Sequence, residues 1–514
     1  MRATSGNNGA WQQVSVSPNT TYTLTAWGKK DSTLANLMIF VKNYGGAEID
    51  RYIVSSSYAQ NYSITFKPTV ASCTIGVWAW NGSGYGYADD FTLTSSSPKP
   101  TPTPAPSPAV VKPQIWIAVR TDGLPGLGTQ LDPFDGSTAA KFDAIMFNYY
   151  WTYNLRVHLV GRGPFRTDAK HRWFIRPGWE LSGDGMYSTT LQVVGNVAGV
   201  RQLNCVSADP NISTDFATIR DLTIDCNWAQ LSTTADNGIG GEKKITVSAI
   251  SIWGSNNLVQ RVRSINTYGS WANQLEHFDI SLAGPRSADG TNDVIDSCRA
   301  ELPHGNYGNP FALSGWLSSA AHYLLSNSKV ISCTAVGVND GLGNGFTSGG
   351  VNLANVKDCQ IDSNSFTDCY GAAYIDTGSI DGLQVTNNKV VRGWGGVGLF
   401  AHVLPKQNIQ ISGNNFSIQN RVPGGASYAI IADYQTINNL TIKNNTITFD
   451  TSGRGLIQFR GVLTYLLNRA TIADNTIGVV NTGYGVANDV SGFGLTMFNN
   501  RNPNGTLIPK LNNQ

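Results

Sequence analysis

A six-residue pattern recurs over about half of this 514-residue chain and limits the folds open to it. It runs apolar, two residues, a small or amide residue, one residue, apolar. Clear copies are IDSNSF (361–366), VTNNKV (385–390), ISGNNF (411–416), IKNNTI (442–447) and IADNTI (472–477). Looser ones are IRDLTI (219–224), VQRVRS (259–264), IDSCRA (295–300) and VISCTA (330–335). Their fourth positions are Leu222, Val262, Cys298, Cys333, Asn364, Asn388, Asn414, Asn445 and Asn475, at intervals of 40, 36, 35, 31, 24, 26, 31 and 30 residues. Short apolar runs at such a period cannot bury their faces singly. Stacked at ~4.8 Å they share one continuous core, which is a β-solenoid. An Asn repeated at one phase can bond the next coil at a tight turn and so form a ladder.

Composition agrees. Charged residues make up 14% and glycine is abundant at 55, which favours an all-β, turn-rich protein. Lys plus Arg (36) nearly equals Asp plus Glu (34), so bulk charge gives no case for a nucleic-acid or anionic-membrane partner. No apolar run approaches the ~20 residues of a membrane span. No secretory signal precedes Ala3, so Met1 reads as an expression start with the signal removed, and the protein as secreted. Seven cysteines at irregular spacing, with no CxxC pair, suggest buried thiols acting as small hydrophobes, with one or two disulfides as the alternative.

SSSPKPTPTPAPSPAVVKP (95–113) divides the chain. Alternating proline favours polyproline II and makes a semi-rigid spacer of roughly 50 Å. Before it, residues 1–94 hold short alternating runs (WQQVSV, TYTLTAWG, LMIFVKN, YSITFKP, TIGVWAW, DDFTLT), the pattern of an antiparallel sandwich. The span from SPNTTYTLTAWGK to WAWNGSGYGYADDFTLT resembles jelly-roll carbohydrate-binding modules, which commonly have one or two further strands. The resemblance implies a sugar ligand and a structural calcium held at Asp89 or Asp90. Flat aromatic faces suit the C–H faces of pyranose rings, so Trp78, Trp80, Tyr85 and Tyr87 are the candidates; Trp78 and Trp80 share one strand face, which is either core or binding surface.

After the spacer, STAAKFDAIMFNYY (137–150) has helical apolar spacing with Ser137 as N-cap, so residues 114–200 can cap the open end of a solenoid. The acids of TDGLPGLGTQLDPFDG (121–136) are explained by turn chemistry, a cation being the alternative. Residues 114–514, with these repeats and WFIRPGWELSGDGMYSTTLQVVG as a first coil, resemble the right-handed parallel β-helix of the pectate-lyase-like superfamily. The resemblance implies a third strand in each coil, stacked with its equivalents into a groove-lining sheet. These read as 248–254, 278–284, 310–315, 344–350, 372–378, 396–402, 428–434, 455–461 and 485–490.

Strand alternation then sorts directions. Ile250, Ile252, Ile280, Leu282, Phe311, Leu313, Ala373, Ile375, Val397, Leu399, Ile457 and Phe459 point inward. Trp253, Asp279, Tyr374, Asp376, Phe400, His402, Gln458 and Arg460 face the groove, while Asp433 fits either register. The longer early loops would wall a cleft with Trp271, Glu276 and His277, then Glu301, His304 and Tyr307, then Asn339 and Asp340.

Glycoside hydrolysis needs an acid and a base, with carboxylates ~6.5–9.5 Å apart for inversion or ~5 Å for retention. Asp376 with Asp340 is the leading pair, Glu301 or Asp433 the substitutes, and no cofactor is required. Tyr374, Trp271, His304, Tyr307, Phe400 and Arg460 are the substrate-binding candidates. A uronan lyase would instead use His402, Arg460 or Tyr374 as base, with calcium on Asp279, Asp340 or Asp376. The chain lacks the Gly-His-Gly and Arg-Ile-Lys signatures of polygalacturonase-like hydrolases, the Arg-x-Pro-x-x-Arg of pectate lyases and the Asp-Pro-His-Asp of uronan epimerases. The expectation is a monomer that cleaves polysaccharide, with hydrolysis ahead of elimination and a non-catalytic glycan-binding fibre as the other class.

Overall fold

The computed structural model describes residues 2–3, 8–55, 60–82, 84–96, 112–168, 173–316, 323–338, 349–375, 378–400, 404, 406–419, 426–433, 437–450, 458–464, 467–478, 486–488, 493–508 and 511–512. The chain divides into two compact units, residues 1–111 and 112–514.

The first unit has eight strands: β1 (Arg2–Ala3), β2 (Asn8–Ser15), β3 (Thr21–Lys30), β4 (Leu34–Lys42), β5 (Ile49–Tyr52), β6 (Gln60–Phe66), β7 (Ser72–Gly82) and β8 (Gly84–Ser96). They form two antiparallel sheets ordered β1-β8-β3-β6 and β2-β7-β4-β5, the strand order of a jelly roll. Alternation decides what they bury. On β7, Cys73, Ile75, Val77 and Ala79 enter the core with Leu24, Leu37, Ile39, Val41 and Ile64, while Trp78 and Trp80 take the other face. The two strands absent from the sequence reading, β1 and β5, are too short for alternation to register.

The second unit is a parallel β-helix: coil after coil pairs in parallel register, and the apolar residues of all coils join one core. The repeat anchors work as expected. Asn364, Asn388, Asn414 and Asn445 each donate their backbone N–H to the Oδ1 of the next, at 2.9–3.0 Å. Their side-chain amides donate to the carbonyls of Val330, Ile361, Val385 and Ile411 on the preceding coil. Just before each anchor the chain turns at a left-handed residue, such as Ser363 (φ 58°), Asn387 (φ 55°), Gly413 (φ 69°) and Asn444 (φ 57°). Short polar residues and glycine tolerate that conformation best, which explains the composition of the repeat. The ladder continues to Asn500, where polar Asn502 occupies the place of the second apolar residue. It begins with thiols: the Cys298 N–H points at Cys333 Sγ (3.4 Å), and Cys333 N–H bonds Asn364 Oδ1 (2.8 Å). All seven cysteines are buried and none forms a disulfide.

A second, shorter ladder precedes the first strand of the early coils. Ala217 N–H bonds Asn257 Oδ1 (3.0 Å), Asn257 N–H bonds Asp293 Oδ1 (2.8 Å), and Asp293 N–H bonds Ser328 Oγ (3.0 Å). At the N-terminal end, the helix α1 (Ala139–Asn148) buries Phe142 and Met146, and its N-cap is Thr138 rather than Ser137. Ser137 instead donates its N–H to Asp135 (2.9 Å). Asp122 and Asp132 are both ion-paired to Arg120, which fills the role offered to a cation.

The third sheet runs through Gln202–Ser207, Thr246–Trp253, His277–Ala283, Gly308–Ser314, Val351–Ala354, Ala373–Ile375, Gly395–Phe400, Ala426–Asp433, Gln458–Thr464, Val486–Asn488 and Leu511–Asn512. Its inward row passes Ile250, Ile280, Phe311, Val351, Ala373, Val397 and Ile430, all buried. Two expectations are corrected. In the coil expected at 344–350, Gly349 and Gly350 precede the strand Val351–Ala354, and residues 344–348 lie outside the described ones. The strand expected over 455–461 is described over Gln458–Thr464, where Val462 and not Phe459 continues the register of Ile430; Ile457 lies outside the described residues.

Candidate functional site

The outer face of the third sheet is built in lanes, because residues in register stack coil upon coil. One lane reads Ser207, Ser251, Ser281, Ala312, Asn352, Tyr374, Gly398 and Ile431. It is small and polar over its first coils and becomes aromatic at Tyr374. Phe400 lies 5.3 Å from Tyr374, centroid to centroid, and Tyr370 lies 5.5 Å away, edge-on. Phe400 and Tyr428 both pack against Ile431. Glycines make the room: a Cβ on Gly398 would stand 2.5 Å from Phe400 Cε2, and one on Gly349 would stand 2.7 Å from Tyr374 Cβ and 2.8 Å from Asn309 Oδ1.

Loops before the third strands carry polar groups and one exposed indole. Ser270 and Leu275 exchange backbone hydrogen bonds and close a hairpin with Trp271 near its tip, 64% exposed and edge-on to Tyr307 at 4.7 Å. Glu242 braces this hairpin: it accepts from Ser270 Oγ, from Ala272 N–H (3.3 Å) and from Asn306 Nδ2 (2.9 Å). Glu276 accepts from Nδ2 of Asn309, a buried residue in register with Phe278. Thus Glu276, Asn309 and Tyr374 follow one another across the sheet, with Asn309 meeting Tyr374 at Gly349.

The expected residues separate into groups. Tyr374 and Phe400 share the face as expected, and Trp271 and Tyr307 share the loop wall. Asp433 takes the register position beside Phe400, and Arg460 that beside Tyr428. Asp340, Asp376 and His402 lie outside the described residues; just before Asp376, Ile375 is buried and Tyr374 half-buried. Glu301 is corrected: it ends the strand Arg299–Glu301, in register with Ile265 and Val336 and away from the third sheet. Burial would raise its carboxyl, but Arg263 and Arg299 outweigh burial and hold it below the ordinary range, the wrong direction for a general acid. His304 is half-buried with Nε2 3.3 Å from Asn266 Oδ1, and burial, with some help from His277, lowers its proton affinity. Asp279 is corrected too. It is fully buried, accepting from Ser264 Oγ (2.9 Å) and Thr267 Oγ1 (2.7 Å), and so is no calcium ligand in a groove.

On the first unit, Trp78 and Trp80 belong to the outer face of the β2-β7-β4-β5 sheet. Trp78 lies 5.8 Å from Trp11, and Trp80 lies 5.7 Å from Tyr52. A Cβ on Gly9, directly across from Trp78, would stand 2.1 Å from the indole, so the ring lies over that glycine. Trp11 and Tyr52, 60% and 49% exposed, complete a surface missed in the sequence. Parity could have found Trp11, whereas Tyr52 depends on the short β5. Tyr85 and Tyr87, 6.3 Å apart and exposed, sit on the other sheet and so form a separate patch. Asp89 is exposed on β8 opposite Trp27, and the side chain of Asp90 lies outside the description. Among the described residues no three carboxylate, histidine or cysteine side chains gather there or elsewhere to hold a metal, so the calcium expectation gains no ligand set.

No family model matches the chain, and no curated protein matches it either. Solved structures similar to it include the Streptococcus pneumoniae surface protein and adhesin PfbA, at 14% identity over 73% of this chain and 95% of that one (TM-score 0.48). DFA-IIIase from Arthrobacter chlorophenolicus A6 is similar at 10% identity over 74% and 99% (TM-score 0.44). The Azotobacter vinelandii mannuronan C-5 epimerase AlgE6 A-module is similar at 15% identity over 70% and 94% (TM-score 0.36). At such distances these likenesses carry no argument about activity, and the fold stands on the chain's own strand pairing.

Proposed function

We propose that this protein is a secreted carbohydrate-active enzyme that binds polysaccharide along the outer face of the third sheet and hydrolyses its glycosidic bonds. The observation that carries the reading is the lane itself, a polar floor that turns into the Tyr374–Phe400 aromatic platform with the Glu276 carboxylate held beside it through Asn309. Sugar rings need both kinds of surface, flat apolar contact for their C–H faces and hydroxyl-matched polar groups at their rims. Carboxylates on adjacent or next-but-one coils stand ~5 or ~10 Å apart by the stacking repeat, so this scaffold can supply an acid and a base. In this reading Asp376 and Asp340 are the acid–base pair, and Glu276 is a further carboxylate able to orient water or a hydroxyl. The aromatic face of the first unit would hold the same polymer. Elimination is the weaker reading, since buried Asp279 cannot serve it with calcium.

Incubation with a panel of polysaccharides, following reducing ends beside the ultraviolet absorbance of unsaturated ends, tests this. New reducing ends without that absorbance are expected. Unsaturated ends would replace hydrolysis with elimination. Neither signal, with binding retained, would make the protein a glycan-binding fibre.

A further inference from the structure

Where the third sheet begins, the turn at Ile239–Lys244, the hairpin at Ala272–Gln274 and Arg201 enclose an open pocket of about 430 Å³. This is within the ~300–1,000 Å³ of small-ligand sites. Two of its six lining residues are cations, Arg201 and Lys244, and two are amides, Asn273 and Gln274. Neither cation has an ion-pair partner among the described residues. Acids nearby are turned to other work: Asp236 accepts Gly199 N–H (2.9 Å), and Glu242 braces the Trp271 hairpin. The adjacent Lys243 differs, its ammonium being spent on Asn237 Oδ1 (3.0 Å). Asn273 is also committed, its Oδ1 accepting Ile239 N–H and its Nδ2 donating to Ser270, so it shapes the pocket rather than binding in it. Arg201, Lys244 and the Gln274 amide remain as donors, with exposed Ile239 (68%) and Ala272 as apolar wall.

We propose that this pocket binds the anionic substituent of a sugar residue, a carboxylate or a sulfate ester, at the N-terminal end of the groove. A guanidinium and an ammonium on two residues lining one pocket, with no carboxylate among its lining residues, are complementary to one such oxyanion. The remaining described outer face is neutral or aromatic along the Ser207–Ile431 lane. The polymer implied is therefore largely neutral, with an acidic unit reaching this one subsite. As a substrate class this rests on the proposed function, but anion binding can be read without catalysis.

The full chain is titrated with methyl β-glucuronide, glucose 6-sulfate and neutral methyl β-glucoside, by calorimetry or saturation-transfer NMR, alone and as the R201Q/K244Q double variant. Expected is binding of one or both anionic probes, weakening with salt, and a loss of at least about tenfold in the double variant. The probe that binds tells carboxylate from sulfate. Equal binding of neutral and anionic probes, or unchanged affinity in a double variant whose urea transition is also unchanged, overturns the proposal. Polysaccharide cleavage is measured in parallel. Intact cleavage with no anion binding removes the pocket alone, and anion binding without cleavage of any polymer removes the enzymatic reading while the pocket stands.

Discussion

Asp293 lies in the short ladder where an amide would be the natural occupant, and its replacement by Asn should stabilise the protein in a pH-dependent way. Its carboxyl is fully buried; Oδ1 accepts the Asn257 N–H (2.8 Å), while Oδ2 and the Asn257 Nδ2 have no hydrogen-bond partner among the described residues. Burial pushes the carboxyl well above the ordinary carboxylate range, and the bond from the Asn257 N–H only partly opposes this. With a folded pKa above the unfolded value of ~3.9, the unfolded chain releases its proton first as pH rises. The stability associated with this group is therefore complete below about pH 3.9 and declines by up to ~1.4 kcal/mol per pH unit until the folded pKa is reached. Asp293→Asn removes that slope and supplies an amide in place of an orphaned oxygen, a group worth roughly 1–3 kcal/mol when buried without a partner. Urea unfolding at pH 4, 5.5 and 7 should show the variant's advantage growing with pH, to about 2 kcal/mol or more at neutrality. An advantage that is absent at pH 7, or independent of pH, would refute the account of Asp293 as a neutral acid in an amide's place.

Asn414→Ala should cost roughly 3 kcal/mol or more, because it strips partners from the Asn388 N–H, the Asn388 side-chain amide and the Val385 carbonyl. Asn439→Ala, which breaks only an exposed side-chain pair with Asn408 but puts alanine at a left-handed residue (φ 54°), should cost less, about 1–2 kcal/mol in the same urea series. Asp376→Asn is expected to lower kcat on the cleaved polysaccharide by about 100-fold or more, and full activity would remove it from the chemistry. Glu301→Gln should leave kcat near wild type while lowering stability, since it breaks a half-buried pairing with Arg263 and Arg299. The double variant Trp78→Ala, Tyr52→Ala should weaken pull-down of the full chain on insoluble polysaccharide without changing kcat on short soluble chains, and unchanged pull-down would shift sugar binding to the Tyr85–Tyr87 patch.

Sequence period and alternation are local, and what depends on them was legible. The ladder from Cys298 to Asn475 and the inward row through Ile250, Phe311 and Val397 needed only the repeat and the two-residue pleat. Features created by one coil resting on another were not legible. Asn257, Asp293 and Ser328 form a ladder whose chemistry changes at every step, so no single residue type repeats. Glu276 and Asn309 meet across loops of different length, and Glu242 reaches Asn306 from 64 residues away. The Val351 slip shows the reason most clearly. A run ending in Ser-Gly-Gly reads as the end of a strand, yet the strand begins just after it, because Gly349 makes room for Tyr374 of the next coil and for the Asn309 amide of the previous one. The same pairing recurs where Gly9 lies under Trp78. A glycine on or beside one strand and a ring on its neighbour form one binding-face element, and its two halves meet only through the pairing of the strands. That is why the aromatic faces emerge only once the strands are paired, and why Tyr374 and Trp78 acquire a surface role that neither position reveals by itself.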